Sequence, residues 1–134
     1  MKLLDGFFDK TIDGLTKSMD LTWKRNQALT SNIANAETPQ YRAVDLTFGK
    51  ELERAFGNNQ ESIMRTSGQH LDVAQNQSAR FVGDFSGQTK PDGNNVDIDL
   101  QMGRLNQNSG DFMSAARLIR RQLGMIKNAI REGR

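Results

Sequence analysis

Apolar residues recur along the first quarter of the chain at steps that, after the first, alternate between three and four. Leu4, Phe8, Ile12, Leu15, Met19, Leu29 and Ile33 fall on one helical stripe, which only Thr22 and Asn26 interrupt. The pattern predicts a helix from about Leu3 to Asn35. It must end before Pro39, because proline pushes Thr38 out of the helical region. A second stripe runs through Ile98, Met102, Leu105, Phe112, Ala116, Ile119, Leu123, Ile126 and Ile130, with Ser109 its one polar member. Asn95 or Asp97 is placed to cap this helix by accepting the free N–H groups of its first turn. Gly6 and Gly14 in the first helix, and Gly103, Gly110 and Gly124 in the second, each cost on the order of 1 kcal/mol relative to alanine. Neither helix is therefore firm alone, and the natural partner for each seam is the other terminal helix.

Between the stripes, Tyr41–Phe48 alternates apolar and polar residues and reads as an extended segment, while Phe48, Leu52 and Phe56 recur at helical spacing. From Gly57 to Asn95 no period is sustained, and Gly, Asn, Gln and Ser abound. Val73, Phe81, Val82 and Phe85 offer a short strand pair that the pattern does not compel. The stretch is too long for a simple connection in a compact domain. It is expected to be mobile in the monomer or ordered only by neighbours.

Composition narrows the function classes. A chain of 134 residues suits one domain, and 36% hydrophobic residues give it a thin core. Cys 0 removes disulfides and thiolate chemistry, and His 1 removes most zinc and triad chemistry. No apolar run approaches the roughly 18–20 residues of a membrane span, so a soluble chain is expected. The first residues lack the features of a secretory signal.

The net charge of +2 is unevenly spread: residues 96–134 carry seven cations and four anions. Arg117, Arg120, Arg121, Lys127, Arg131 and Arg134 read as a solvated face complementing the C-terminal end of the helix dipole. The alternative is a helical adaptor or nucleic-acid-binding dimer using that basic face, although no aromatic is interleaved among the cations as single-strand binding favours.

Candidate chemistry is sparse. Asp92-Gly93-Asn94-Asn95-Val96-Asp97-Ile98-Asp99 is the densest carboxylate cluster, but it fails the calcium-loop pattern with Val96 and Asp97 in the fifth and sixth places. It reads instead as turn-and-cap chemistry. His70 has no neighbouring ligand set, Ser31 has no nucleophile-elbow glycines, and Gly83 and Gly87 lead into no phosphate-binding helix start. Asp97 and Asp99 are the only pair available for acid–base work. No catalytic, metal or cofactor site is expected. Trp23 lies beside the first stripe, where it either widens the packed face or anchors another protein.

The segment containing Asn32, Ile33, Ala34, Asn35, Ala36, Thr38, Pro39 and Tyr41 resembles the N-terminal signature of flagellar rod and hook axial proteins, approximately N-I-A-N-A-x-T-P-G-Y. Gln40 departs from the glycine usual in that family; if that glycine adopts positive φ, Gln40 is expected to find another turn geometry. Asp92, Gly93, Asn94, Asn95, Val96, Asp97, Asp99 and Met102 resemble a D-G-N-N-V-D-x-D-x-E-M segment of the family's proximal rod members, with Gln101 replacing the glutamate. The match covers both ends of the chain, and is loose over residues 57–91, through Thr66 and His70-Leu71.

The resemblance implies a mainly α fold. An N-terminal helix (1–36) and a C-terminal helix (96–134) pair as an antiparallel coiled coil, joined by a loop-rich middle segment (37–95), one domain in total. It implies a structural subunit of the periplasmic rod, not an enzyme, exported by the flagellar type III apparatus without a cleaved signal and assembled helically. Implied partners are further copies, the neighbouring rod protein FlgC and distal rod proteins, the ring–rod junction protein FliE, the export gate and the rod-cap protein FlgJ. Neither nucleic acid nor membrane insertion is implied. Phe48 and Leu52 resemble the F-x-x-x-apolar motif read by the export gate, against plain packing of a short helix. FlgC itself is the nearest rival within the family, and the Asp92–Asp97 segment argues against it.

Overall fold

The computed structural model of the protein describes residues 2–56 and 79–132, with side chains in the first helix described from residue 10 onward. The elements in chain order are α1 (Lys2–Ala34), β1 (Val44–Thr47), α2 (Gly49–Phe56), β2 (Arg80–Gly83) and α3 (Ile98–Glu132). The chain is thus mainly helical, with one small sheet. Leu4 and Phe8 lie on α1 ahead of the described side chains, and Thr66, His70, Leu71 and Val73 lie outside the described residues.

Local chemistry explains the boundaries. α1 unwinds ahead of Pro39 through tight turns, with the N–H of Ala36 donating to Ile33 and that of Thr38 to Asn35. Asp97 caps α3, its Oδ1 accepting the Leu100 N–H at 3.1 Å. Asn95 is used elsewhere. β1 and β2 pair antiparallel, from Val44 opposite Gly83 to Thr47 opposite Arg80, and the Asp84 N–H extends the ladder to the Ala43 carbonyl at 2.8 Å.

α2 rests on α1 at Gly14, where a β-carbon would come within 2.8 Å of the Phe56 ring. That glycine costs helix propensity and gains a close approach. Lys17 and Glu51 pair across the same contact at 3.2 Å.

α1 and α3 pack against each other with opposed chain directions. Asn32 bonds Gln101, and earlier in α1 the Thr22 carbonyl accepts from Asn108 later in α3. On α1, Leu15, Thr22 and Leu29 of the predicted stripe are buried, while Ile12, Met19, Asn26 and Ile33 are half-buried. Leu21 and Ala28 are buried as well, because β1 and α2 cover a second side of this helix.

The second stripe requires a correction. Leu105, Phe112, Ala116, Ile119 and Ile126 are half-buried, but Ile98, Met102, Leu123 and Ile130 are exposed. The buried α3 positions are Gln101, Asn108 and Ala115, each one residue before a stripe member. Two hydrogen-bonded amides and a small residue let α3 sit close to α1, turning the helix by about one residue from the apolar expectation. Much of its apolar stripe therefore faces outward.

Candidate functional site

The two sequence signatures, some sixty residues apart, meet in one polar knot at the end of the helix pair where α1 stops and α3 begins. Asn32, fully buried, sits at its centre. Its Nδ2 donates to the Val44 carbonyl at 2.8 Å and to Gln101 Oε1 at 3.0 Å. Its Oδ1 accepts the Val44 N–H at 3.0 Å and the Tyr41 hydroxyl at 3.2 Å. One amide thus holds helix, strand and opposing helix together.

Asn94 and Asn95 extend the knot. Asn94 Nδ2 donates to the carbonyls of Asn35 and Thr38 at 2.9 and 2.8 Å, closing the C-terminal end of α1. Its Oδ1 accepts the Val96 N–H at 2.7 Å. Lys90 Nζ reaches the Ala36 carbonyl at 3.0 Å, placing a cation at the negative end of the helix. Asn95 Oδ1 accepts the Ala43 N–H at 2.8 Å, and its Nδ2 donates to the Asp84 carbonyl at 2.6 Å. Buried Ala36, Ala43 and Val96, with Tyr41 against them, form the small apolar centre around which these amides close.

Gln40 adopts φ 60°, and its N–H donates to the Asp92 carbonyl at 3.0 Å. The expected change of turn geometry does not occur. Glutamine takes the left-handed conformation itself, a strained choice for a residue with a β-carbon. Gly93, at φ 84°, packs beside it without that penalty. Of the other signature residues, Asn35 and Ile33 are half-buried, whereas Ala34, Thr38, Pro39, Asp92, Asp97, Asp99 and Met102 are exposed.

A charged hub continues the knot along α3. Asp84 receives hydrogen bonds from Ser86, from Gln101 Nε2 at 2.9 Å and from the Arg104 guanidinium. Burial pushes its carboxyl up, but the bonds from Ser86 and Gln101 and the charge of Arg104 outweigh burial and hold it below the usual aspartate range. Arg25 grips Asp45 through two parallel bonds of 2.8 and 2.7 Å. Its guanidinium, 6.0 Å from the Phe48 ring centre, is held charged by the Asp45 hydrogen bond against opposing burial. Sequence reading singles out neither ion pair, because the partners lie twenty residues apart on different elements.

Phe48, just ahead of α2, and Leu52 within it are half-buried. Trp23 is exposed, at a groove of about 160 Å³ between α1 and α3 that Asn26, Asn108, Phe112 and Met113 also line. Among the described residues, no three His, Cys, Asp or Glu side chains are placed to hold a metal ion, and no helix is long and apolar enough to cross a membrane. The arrangement braces a helix pair; it does not present a reactive group.

Comparison with known proteins agrees with that reading. No protein-family model matches the chain. It is 35% identical over 109 residues to a flagellar basal body rod protein FlgB of Cereibacter sphaeroides, covering 80% of this chain and 83% of the relative. The Borreliella burgdorferi protein of the same name is 32% identical over 110 residues, covering 75% and 81%. The Bacillus subtilis one is 27% identical over 130 residues, covering 95% and 98%. These likenesses place the chain among the structural proteins of the bacterial flagellar rod, which are not enzymes. Within that class, the chain belongs to the flagellar basal body rod protein FlgB family.

Proposed function

We propose that this rod subunit is exported by the flagellar type III apparatus and then built into a helical tube through its terminal helices, with α1 and α3 acting as an antiparallel coiled coil. The observation that carries this reading is the outward half of the α3 stripe. Met102, Leu123 and Ile130 are each about half exposed or more although they share one helix with a packed face. A long apolar strip of this kind marks an interaction surface, and burying it between subunits offsets the entropy of ordering the helices. Heterologous contacts that do not close a ring yield a helix.

The polar knot supports a division of labour in which side-chain amides brace the helix pair within one subunit and apolar contacts join subunits. Phe48 and Leu52 would meet the export gate on the unfolded chain, since both are half-buried in the fold. Expected neighbours are FliE, FlgC, the distal rod proteins and the rod-cap protein FlgJ. The reading is tested by mass spectrometry of stripped hook–basal bodies. Enrichment of this chain with ring and rod proteins supports it, and a chain that stays in the cytoplasm overturns it.

A further inference from the structure

The groove beside Trp23 holds an unmet hydrogen-bonding group. Asn108, 1% exposed, forms part of its wall. Its Nδ2 donates to the Thr22 carbonyl at 2.7 Å. Its Oδ1, among the described residues, is the one buried side-chain oxygen or nitrogen without a hydrogen-bond partner. The two hydroxyls in the same wall are committed elsewhere. Thr22 Oγ1 donates toward the Ser18 and Met19 carbonyls, each 2.9 Å away, and Ser109 Oγ to the Leu105 carbonyl at 2.9 Å. An acceptor buried without a donor is unfavourable, so this one calls for a donor from outside the chain.

The rest of the groove fixes what carries that donor. Trp23 is 58% exposed and Met113 57%, and with half-buried Phe112 they frame about 160 Å³. That space holds about one aromatic ring, since a cavity of roughly 150 Å³ accepts benzene. Charge favours a neutral occupant. The exposed charges beside Trp23 on α1, Asp20 and Lys24, are opposite in sign. On α3, the charge of Asp111 acts on Arg25, which is bound to Asp45 of β1. The groove is also continuous with the outward strip of α3. Met102 lies seven residues before Ser109 and Leu123 eleven after Phe112, about two and three whole turns, so all four share one side of the helix.

We propose that this groove is a socket for one tryptophan or tyrosine ring carried on a helix of a different rod protein, whose N–H or O–H donates to Asn108 Oδ1. This rests on the assembly reading above and names the partner chemistry of its surface. The helix lies along the outward strip, and the ring is its anchor. A further copy of this chain does not fit the role, because it has one Trp and one Tyr. Trp23 lines the groove itself, so offering it would set groove against groove, a two-fold contact that ends at a dimer. Tyr41 is half-buried, with its hydroxyl on Asn32. The ring therefore belongs to another chain.

Indole and benzofuran are alike in size and differ in the single N–H, so they test the socket on the intact monomer by heteronuclear NMR. Indole should shift the Trp23 side-chain N–H and the Asn108 side-chain amide, and benzofuran should bind about tenfold more weakly for want of one hydrogen bond. Equal affinity, or no shift at either residue, overturns the socket whether or not the assembly reading holds. The ring's owner is tested in basal bodies with Met113→p-benzoylphenylalanine. Photo-crosslinks should join this chain to a peptide of a different rod protein that contains tryptophan or tyrosine. Crosslinks to copies of this chain alone, to peptides with neither ring, or none despite incorporation overturn that assignment. Absence of the wild-type chain from basal bodies overturns the assembly reading itself, and the ring's owner with it.

Discussion

Asn32 and Val44 exchange two hydrogen bonds, the asparagine side chain taking the place of a neighbouring strand: Nδ2 donates to the Val44 carbonyl at 2.8 Å and Oδ1 accepts its N–H at 3.0 Å. Edge backbone groups of β1 are thereby satisfied by a helix residue. Replacing Asn32 with alanine removes this pairing and strips one partner from Gln101. Buried groups left unpaired cost about 1–3 kcal/mol each, so Asn32→Ala should destabilise the monomer by about 3 kcal/mol or more. Urea unfolding followed by circular dichroism measures this, and a loss under 1 kcal/mol would show that the knot does not carry the fold.

Gln40 offers a change in the opposite direction. Its left-handed conformation, φ 60°, is unfavourable by roughly 1–2 kcal/mol for a residue with a β-carbon. Glycine removes that penalty but adds freedom to the unfolded chain, which gives back part of the gain. Gln40→Gly should therefore raise stability by about 0.5–1 kcal/mol, seen as a higher urea midpoint at unchanged slope.

Acid should loosen the charged hub. The Asp84 carboxyl titrates below its ordinary value in the fold. Its contribution is therefore complete above the unfolded aspartate pKa of about 3.9 and is lost as pH falls through the lower folded value. Stability measured from pH 7 to pH 2 should drop in the acid limb, and Asp84→Asn should lower the plateau while flattening that limb. An unchanged limb in the variant would remove Asp84 from the account.

Leu123 and Ile119 should separate folding from assembly. Leu123 is 53% exposed, so Leu123→Asp should leave monomer stability within about 0.5 kcal/mol of wild type yet abolish rod incorporation and swimming. Ile119 is half-buried, so Ile119→Asp should also lower the unfolding midpoint. Normal motility of the Leu123 variant would overturn the outward strip as an interface.

Much of this architecture is written in residue spacing. The predicted ends of the first helix, about Leu3 and Asn35, lie within a residue of those found, and Phe48, Leu52 and Phe56 mark α2. Asp97 was one of two cap candidates because a short oxygen side chain at a helix start acts locally. Long-range polar pairing is another matter. Gln101 and Asn108 carry no apolar signal, yet they form the contact face of α3, since an amide is buried wherever its partners are. Only the signature segments mark Asn32 and Asn94, spacing marks Asn95 as a cap it does not form, and neither signal reveals that the two segments meet. Arg25, Asp45, Asp84 and Arg104 had no local mark at all.

The ladder between β1 and β2, with Asn95 and Asp84 locking its base, has a consequence for chain length. It closes a loop that runs through α2 to Arg80, and the entropy of such a closure grows only with the logarithm of loop length. Doubling the loop would cost on the order of 0.6 kcal/mol, less than a single buried amide in the knot contributes. A change in the number of residues between Thr47 and Arg80 therefore weakens the ladder little, and the braced helices keep their register.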